Sequence, residues 1–395
     1  MQKQPYILWL ASWYPTRLDP FPGDFIQRHA KALALYYPVH VLHIAKDTDG
    51  LVTKTSFTET ARHDNLKETI HYYHPFSTGI GFIDRTISTF YFLKAGKRII
   101  REQAKQNPGM FIHLHVAMRH GLLALWAYKK LGIPYVITEH WAGYNYNEYP
   151  KELRPSKWFW MATKRIFSKA KFFYPEVNRV GELVNETIHP IAYKPVSNTV
   201  DTSLFYYDAE EITPMDQFHF VHVSTLSFQK NIEGILNVIE RLEIGEPGIH
   251  FTLVGPLTDD VKQRVEASTQ LQERVTLTGA LSYPEVAEQV RKAHAMLLFS
   301  RYENQPCVIV EALCAGLPVI STKVGGIAEV IDSGNGILID SENDAQLEAA
   351  IHRMVKQHGD FDRKSIAKKS SSLYSYQVIG ARILNYYKQD MPDQW

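Results

Sequence analysis

The sequence has little of what marks disulfide-bonded, metal-binding or membrane-spanning proteins. Its 395 residues include only two cysteines, Cys307 and Cys314. Their spacing would place them on one face of a helix, which fits neither a metal site nor a disulfide. We therefore interpret both as small buried residues of a protein that resides in a reducing compartment.

Long hydrophobic runs are also absent. No stretch approaches the roughly eighteen apolar residues that a membrane-spanning helix requires. The first apolar run, Tyr6–Ala11, is too short for the core of a secretion signal, and no small-residue cleavage site follows it. We therefore expect a cytoplasmic protein, for which peripheral contact with the inner face of the cell membrane stays open.

The net charge of +1 conceals an uneven distribution. Residues 1–200 contain 26 Lys and Arg against 15 Asp and Glu, a net charge of +11, whereas the remainder has 17 against 27, a net charge of −10. A basic half suits an anionic partner. Because helix-turn-helix, zinc-finger and RNA-binding signatures are missing, we expect no nucleic acid. A phosphate-bearing acceptor or an anionic membrane surface fits the charge at least as well.

Short apolar runs alternate with amphipathic helical stretches in both halves of the chain. The predicted strands are Tyr6–Ser12, Val39–Ile44, Phe111–His115, Pro134–Thr138, Lys171–Tyr174, Phe218–Ser224, His250–Val254, Arg274–Thr278, Ala295–Ser300 and Val319–Ser321. The predicted helices include Asp24–Tyr37, Asn231–Leu242, Tyr283–Ala293, Pro306–Ala315 and Tyr374–Lys388. This alternation predicts an α/β protein with two Rossmann-like domains, each a parallel sheet that binds ligands at the carboxyl ends of its strands.

The segment from Ser300 to Gly326 carries the strongest functional signal. A predicted strand ends at Ser300, a loop presents Glu303, and Glu311 lies inside the helix that Pro306 begins. The free N–H groups at the start of that helix suit a phosphate or a sugar oxygen. Two glutamates at this spacing would by themselves more simply be structural, but the surrounding segment favours a binding site.

This segment resembles the signature of the family 4 glycosyltransferases, which are retaining enzymes with the GT-B fold. The matching residues are Ser300, Glu303, Pro306, Glu311, Ala312, Gly316, Pro318, Val319, Ile320, Gly325, Gly326, Glu329, Gly334 and Gly336, with Cys314 as the second small residue. The resemblance covers almost the whole chain. Its other parts are Trp13–Gly23, His113–His115, Thr138–His140, Asn198–Asp201, Val221–Lys230 and Leu253–Pro256.

The resemblance implies a GT-B arrangement of two Rossmann-like domains that face each other across a cleft. Residues 1–196 would form the acceptor-binding domain and residues 197–370 the domain that binds the nucleotide sugar. Residues 371–395 would form a C-terminal helix that packs back on the N-terminal domain. From its apolar stripe alone, this last helix could pack on either domain.

The resemblance also implies a role for each matched residue. Glu303 would contact the transferred sugar, Lys230 would neutralise the leaving diphosphate, and His115 would lie beside the sugar. Glu311 would bind the ribose hydroxyls. The other expected donor contacts are Gly23, Thr225, Gly255, Asn304, Gln305 and Pro306, and the expected acceptor contacts are His140 and Trp13. No metal and no cofactor is expected, since family members need none and no Asp-x-Asp motif occurs at a plausible site.

Simpler interpretations stay open for several of these residues. A single histidine at a strand end is more often structural than catalytic, and we interpret His113 and His120 in that way. Gly23 could be an ordinary loop glycine. The chain also departs from the family at Thr225, where an arginine normally precedes the lysine by five positions, so the expected cationic clamp on the phosphates is reduced to Lys230.

Two basic and aromatic stretches in the first half bear on the acceptor. Residues Phe82–Lys105 and Trp158–Phe173 interleave large aromatic side chains with lysines and arginines. Such stretches suit a helix at an anionic lipid interface, although for each stretch taken alone a core-facing aromatic stripe with a solvated basic back is the simpler explanation. The net charge of this half favours a lipid-linked or membrane-presented acceptor.

These observations predict a retaining, hexosyltransferase-type glycosyltransferase that works without a metal. It would move a sugar from a nucleotide-diphosphate donor to a glycan or lipid-linked acceptor in cell-surface polysaccharide or glycoconjugate synthesis. One alternative is another nucleotide-sugar enzyme, such as an epimerase, or a phosphorylase. The other is a non-catalytic subunit that has kept the fold, for which Thr225 is the main support.

Overall fold

The computed structural model describes residues 5–145, 148–212, 214–243 and 248–395. The chain forms two compact units. The first comprises Met1–Tyr144, Lys151–Ser197 and Tyr376–Trp395, and the second comprises Asn145–Pro150 and Asn198–Ser375. The chain therefore leaves the first unit and returns to it at its C-terminal end.

The first unit contains a seven-stranded sheet of order β3-β4-β2-β1-β5-β6-β7. Its strands are β1 (Ile7–Ala11), β2 (Val39–Lys46), β3 (Ser56–His63), β4 (Leu66–Tyr73), β5 (Phe111–His115), β6 (Tyr135–Glu139) and β7 (Phe173–Pro175). Its helices are α1 (Asp24–Ala34), α2 (Gly81–Gln106), α3 (Gly121–Leu131), α4 (Lys157–Phe167) and α5 (Asn178–Thr187), together with the C-terminal α13 (Tyr376–Asp390).

All strand pairs of this sheet are parallel except the pair formed by β3 and β4. The central strands β1, β5 and β6 are buried at every position, as expected for parallel strands covered on both faces. Strand β3 is exposed at seven of its eight positions and closes one edge. The sequence pattern did not predict β3, because a polar edge strand lacks the apolar run used to recognise the others. It also missed β4, which lies between β3 and β2 but begins with the polar residues Lys67, Glu68 and Thr69 after Leu66.

The second unit contains a six-stranded parallel sheet of order β10-β9-β8-β11-β12-β13. Its strands are β8 (Gln217–Val223), β9 (Gly248–Val254), β10 (Val275–Gly279), β11 (Ala295–Leu298), β12 (Val319–Thr322) and β13 (Gly336–Ile339). Its helices are α6 (Ile232–Arg241), α7 (Asp259–Glu266), α8 (Thr269–Arg274), α9 (Tyr283–Lys292), α10 (Cys307–Cys314), α11 (Asp344–Gln357) and α12 (Arg363–Tyr374). With the first unit, this confirms the predicted α/β fold.

The end of the chain differs in detail from the predicted single helix at Tyr374–Lys388. Helix α12 ends at Tyr374, Ser375 is extended with φ −62° and ψ 156°, and α13 begins at the next residue. The polar Lys/Ser stretch is thus part of a helix, which its composition did not suggest. Helix α13 packs on α1 in the first unit, where a Cβ at Gly380 would lie 2.0 Å from the carbonyl oxygen of Ala32. Such a close approach of two helix backbones requires glycine.

None of the described helices combines the length and the apolar character that crossing a bilayer demands.

Candidate functional site

In the second unit, the turns that follow β8 and β11 bring Lys230 and Glu303 into contact. The two strands are neighbours in the parallel sheet, so their carboxyl ends open at the same edge. Lys230 ends a short 3₁₀ turn, Phe228–Lys230, and its ammonium forms an ion pair with the Glu303 carboxylate. Seventy-three positions separate the two residues in the chain. The fold alone therefore produces this pair.

The Glu303 carboxylate is held from two sides. The hydroxyl of Ser300 donates to the same carboxylate oxygen at 2.8 Å. Glu303 is only 6% exposed, so its charge needs this compensation. An ammonium carries three N–H donors, and Glu303 is the one carboxylate that an ion pair joins to Lys230 among the described residues. Lys230 therefore retains donors for a second anion.

Glu311 lies inside α10, one strand-to-helix connection after β11. Its side chain is buried, and the hydroxyl of Tyr283 at the start of α9 donates to it at 3.1 Å. Pro306 precedes the first residue of α10, and no side chain caps that helix end. The free backbone N–H groups at a helix start favour an anion or a sugar oxygen. Tyr283 had no sequence signal, because its contact spans 28 residues.

Asn304 and Gln305 have different hydrogen-bond partners and therefore different roles. The side-chain oxygen of Gln305 accepts a hydrogen bond from the backbone N–H of Asn198 at 2.7 Å. The backbone carbonyl of Gln305 accepts one from the side-chain amide of Asn198, also at 2.7 Å. Gln305 thus anchors the segment that enters the second unit. The side-chain nitrogen of Asn304 is buried without a hydrogen-bond partner among the described residues, so it can donate to a ligand.

The turn after β12 lies against the Glu303 loop. Gly325 has φ +56°, and a Cβ there would lie 1.8 Å from the carbonyl oxygen of Glu303. The backbone N–H of Gly325 donates to the carboxylate of Glu148 at 3.2 Å. A carboxylate at this glycine shows that the turn accommodates an anion. No sequence pattern pointed to Glu148.

Thr225 and Gly255 lie in the loops that follow β8 and β9. The Thr225 hydroxyl donates to Ser227 at 3.0 Å on an exposed surface. A Cβ on Gly255 would lie 1.9 Å from the carbonyl oxygen of Ser224. Gly255 therefore has a packing reason to be glycine, independent of any ligand.

In the first unit, the loop between β1 and α1 places Gly23 on Trp13. Gly23 has φ +75°, and a Cβ there would lie 2.3 Å from the Trp13 carbonyl carbon. Trp13 borders a cavity of about 300 Å³. Lys46 and Arg119 also line this cavity. The lining also includes Asp19. The expected acceptor residue Trp13 thus faces a polar cavity, which the sequence did not reveal because its lining comes from four separate segments.

His115 is the last residue of β5, and His140 directly follows β6. Glu176 forms a hydrogen bond with His140. His140 Nδ1 is 2.8 Å from a Glu176 carboxylate oxygen, and its Nε2 is 3.5 Å from Nδ1 of His115. Because a carboxylate only accepts, Nδ1 of His140 carries the proton and Nε2 is the acceptor. His115 then donates from Nδ1, and its Nε2 keeps a free lone pair. That atom is buried without a partner among the described residues.

Burial keeps these imidazoles neutral. Desolvation lowers the pKa of His140 to about 4, against a smaller opposing effect of the Glu139 carboxylate. Desolvation, and then the neighbouring His113, His140 and His29, hold the pKa of His115 well below its usual range. At neutral pH both rings therefore act as neutral donors and acceptors.

His113 has a structural environment, as interpreted from the sequence. It contacts the Tyr387 hydroxyl of α13 through Nδ1, and its Nε2 is 2.8 Å from the Thr138 hydroxyl. Both ring nitrogens are thereby used inside the first unit. Within the described ranges, no three or more His, Cys, Asp or Glu side chains are grouped so that they could hold a metal ion.

Comparison with known proteins adds a family and a fold. Residues 207–371 match the family model described as Glycosyl transferases group 1. The chain is 26% identical over 364 residues, 88% of each chain, to TuaC of Bacillus subtilis, a glycosyltransferase provisionally named for teichuronic acid biosynthesis.

Solved structures share the fold at low sequence identity. Sucrose-phosphate synthase from Thermosynechococcus elongatus superposes with a TM-score of 0.79 at 18% identity, covering 99% of this chain and 100% of that one. Anabaena HepE in complex with UDP-glucose gives 0.71 at 14% identity, covering 97% and 99%. Together these findings show the GT-B fold and support a glycosyltransferase activity.

Proposed function

We propose that the protein is a retaining, metal-independent glycosyltransferase of the hexosyltransferase type. It transfers a sugar from a nucleotide-diphosphate donor to a glycan or lipid-linked acceptor in cell-surface polysaccharide or glycoconjugate synthesis. The contact between Lys230 and Glu303 carries this proposal. It is supported by the resemblance of the Ser300–Gly326 segment to family 4 and by the fold shared with HepE, whose structure contains UDP-glucose.

The pair suits the charges that form during transfer. Breaking the bond between sugar and phosphate builds positive charge on the sugar ring and negative charge on the departing diphosphate. In the proposed mechanism the Lys230 ammonium stabilises the diphosphate, while the Glu303 carboxylate stabilises the sugar. Each group also holds the other in position in the free enzyme, so little reorganisation is needed when the donor binds.

The remaining donor contacts follow from position in the second unit. Glu311 is proposed to accept hydrogen bonds from the ribose hydroxyls, and the start of α10 with Pro306 and Asn304 to meet oxygens of the donor. Gly255 and Thr225 are proposed to lie along the diphosphate. Gln305 serves mainly by anchoring Asn198.

Acceptor contacts are proposed for the first unit. Trp13 offers a ring at a cavity that Lys46, Arg119 and Asp19 also line, and Gly23 shapes the loop that carries it. The neutral His115 has a free lone pair on Nε2, which suits a hydroxyl of the sugar, and His140 orients it. The basic first half is proposed to meet an anionic membrane surface.

Sugar release from donors is the direct test. The protein is incubated with a panel of nucleotide sugars and a chelator, and free sugar is measured over time. We expect slow release from one donor without added metal, since water can take the place of the acceptor hydroxyl when no acceptor is present. A requirement for Mg²⁺ or Mn²⁺ would contradict the metal-independent mechanism.

A second candidate is a non-catalytic subunit with the same fold, favoured by Thr225 in place of arginine. It predicts that nucleotides bind while every donor remains intact. The buried charge pair argues against it, because a carboxylate and an ammonium that served only nucleotide binding would not need to be held together.

Thr225→Arg provides a test of the incomplete phosphate clamp. A guanidinium at this exposed loop position is expected to add a charge-assisted hydrogen bond to the donor diphosphate and to tighten nucleoside diphosphate binding about tenfold. Isothermal titration measures the change, and Thr225→Gln serves as the uncharged control. Equal affinities for the two variants would show that position 225 does not face the phosphates.

A further inference from the structure

A second cavity of the first unit lies between α2 and the end of the β3–β4 hairpin. Its volume is about 540 Å³, large enough for a phosphate-bearing headgroup. Three cations line it, Lys54, Lys94 and Arg98, and no carboxylate is found among its described lining residues. The other lining side chains include two histidines and three aromatic residues: His71, His74, Tyr73, Tyr91 and Phe76.

The charges of the three cations are not neutralised within the described part of the fold, although the Lys94 ammonium lies 5.9 Å from the centroid of the Phe90 ring. No ion pair among the described residues joins Lys54, Lys94 or Arg98 to a carboxylate. His71 does not add a charge of its own, because burial, and then the nearby Arg98, lower its pKa to about 4. Like charges that gather in a concave site without a counter-charge raise the local concentration of anions. The pocket is therefore suited to a phosphate.

Helix α2 presents two separate apolar faces. Phe92, Ile99 and Ile100 are buried in the core of the first unit. A second face carries Phe90 and Tyr91, which are 61% and 40% exposed. By the 100° rotation per residue of a helix, this face also carries Lys94 and Arg98 of the pocket. The sequence left open whether the aromatic residues were core or surface, and the structure assigns some to each.

The exposed apolar residues continue around the mouth of the pocket. Phe76, which lines it, is 68% exposed. Large apolar side chains beside cations on one surface are the composition of a helix that lies in a lipid interface. A soluble phosphate ester would explain the cations but leave the exposed rings without a purpose.

We propose that this pocket binds the headgroup phosphate of an acidic glycerophospholipid, while Phe76, Phe90 and Tyr91 enter the interface of the same membrane leaflet. This site gives the proposed membrane contact a location and a ligand, and so rests on that part of the proposed function. Lys54 and Arg98 approach the phosphate from the hairpin and from α2. The enzyme is thereby held against the surface that presents its acceptor.

Vesicle sedimentation of the full chain, without any donor, tests the pocket. The vesicles are phosphatidylcholine alone or phosphatidylcholine with about one lipid in three replaced by phosphatidylglycerol. We expect binding to the acidic vesicles only. Replacing both pocket cations of α2, in Lys94→Gln/Arg98→Gln, is expected to lower the partition coefficient about 30-fold, since each charge near an anionic surface contributes about fivefold.

A matched control separates the pocket from general charge. Lys129→Gln/Lys130→Gln removes two exposed cations from the end of α3 in the same unit and is expected to change binding less than threefold. Phe76→Ser leaves every charge in place, and with them the contact between Lys94 and Phe90, and is expected to weaken binding about tenfold, by losing buried apolar area. All these side chains are exposed, and thermal melting of each variant checks that the fold is intact.

Three results would overturn the proposal. Equal losses in the two double variants would show that only the overall charge matters. Unchanged binding of Phe76→Ser would show that the exposed rings do not enter the interface. If inorganic phosphate bound in the pocket while the protein did not bind acidic vesicles, the pocket would be assigned to a soluble phosphate ester instead. The vesicle experiment contains no sugar donor, so its result does not depend on whether the protein releases sugar. The membrane site and the proposed transferase activity can therefore fail independently.

Discussion

Lys230→Ala is expected to lower the rate of donor sugar release by about 10²–10³-fold, the usual cost of removing one group that stabilises developing charge. The turn after β8 places the Lys230 ammonium beside Glu303. The arginine of the family pattern is replaced by Thr225, so no guanidinium at that position shares the charge of the diphosphate. Affinity for the nucleoside diphosphate is expected to fall as well, because the ammonium would contact the phosphates in both the ground state and the transition state. Single-turnover kinetics and titration calorimetry measure the two effects.

Glu303→Gln separates the two partners of the pair. The amide keeps the size of the carboxylate but cannot stabilise positive charge on the sugar, so the release rate is expected to fall by a similar factor. Binding of the nucleoside diphosphate is expected to be retained or tighter, since Lys230 loses its present anion. A variant with weaker nucleotide binding and an unchanged release rate would contradict the assigned roles.

The matched control is Lys292→Ala. Lys292 pairs with Glu288 on the exposed surface of α9, in the same unit and between the same residue types. Exposed pairs of this kind contribute at most about 1 kcal/mol. We expect its release rate to stay within twofold of the parent protein. A large loss in this control would mean that activity follows general stability rather than the charge pair.

Acidification from pH 7 to pH 5 is expected to destabilise the first unit strongly. Burial lowers the pKa of His29, His43 and His140 to about 4, whereas an imidazole in the unfolded chain titrates near 6.5. The unfolded state therefore binds more protons between these values, and the free energy of unfolding falls as the pH falls through this window. At pH 5 each such histidine costs about 2 kcal/mol, so three cost about 6 kcal/mol.

Urea denaturation at pH 7, 6 and 5 measures this effect. His43→Gln is expected to reduce the dependence of the unfolding free energy on pH by up to about 1.4 kcal/mol per pH unit, whatever it does to the stability at pH 7. His63→Asn is the control, because His63 is exposed on the edge strand β3. An unfolding free energy that stays constant from pH 7 to pH 5 would show that the fold accommodates the protonated form of these buried imidazoles without loss of stability.

Local patterning was sufficient for the class of fold and for the central strands. Strands such as β1, β5 and β11 are short apolar runs, because parallel strands buried on both faces must be apolar at every position. The Ser300–Gly326 segment identified the loop of Glu303 and the helix of Glu311, since one turn geometry places both residues within a few positions of each other. Helix α1 was recognised as well, although it ends at Ala34 rather than at Tyr37.

The partners of these residues depended on contacts between distant parts of the chain. Lys230 meets Glu303 because β8 and β11 are neighbours, an order that no local pattern specifies. Glu176 orients His140 across 36 positions, and Tyr283 reaches Glu311 across 28. Such contacts are chosen by the packing of whole elements.

The two aromatic faces of α2 show the same division most clearly. The composition of α2 shows that the helix is both basic and aromatic. Helical periodicity alone does not determine which of its two apolar faces the sheet covers. The covered face became core, and the other was left beside Lys94 and Arg98. Burial is a property of what packs against a side chain, so it was decided only when the sheet and the hairpin were in place.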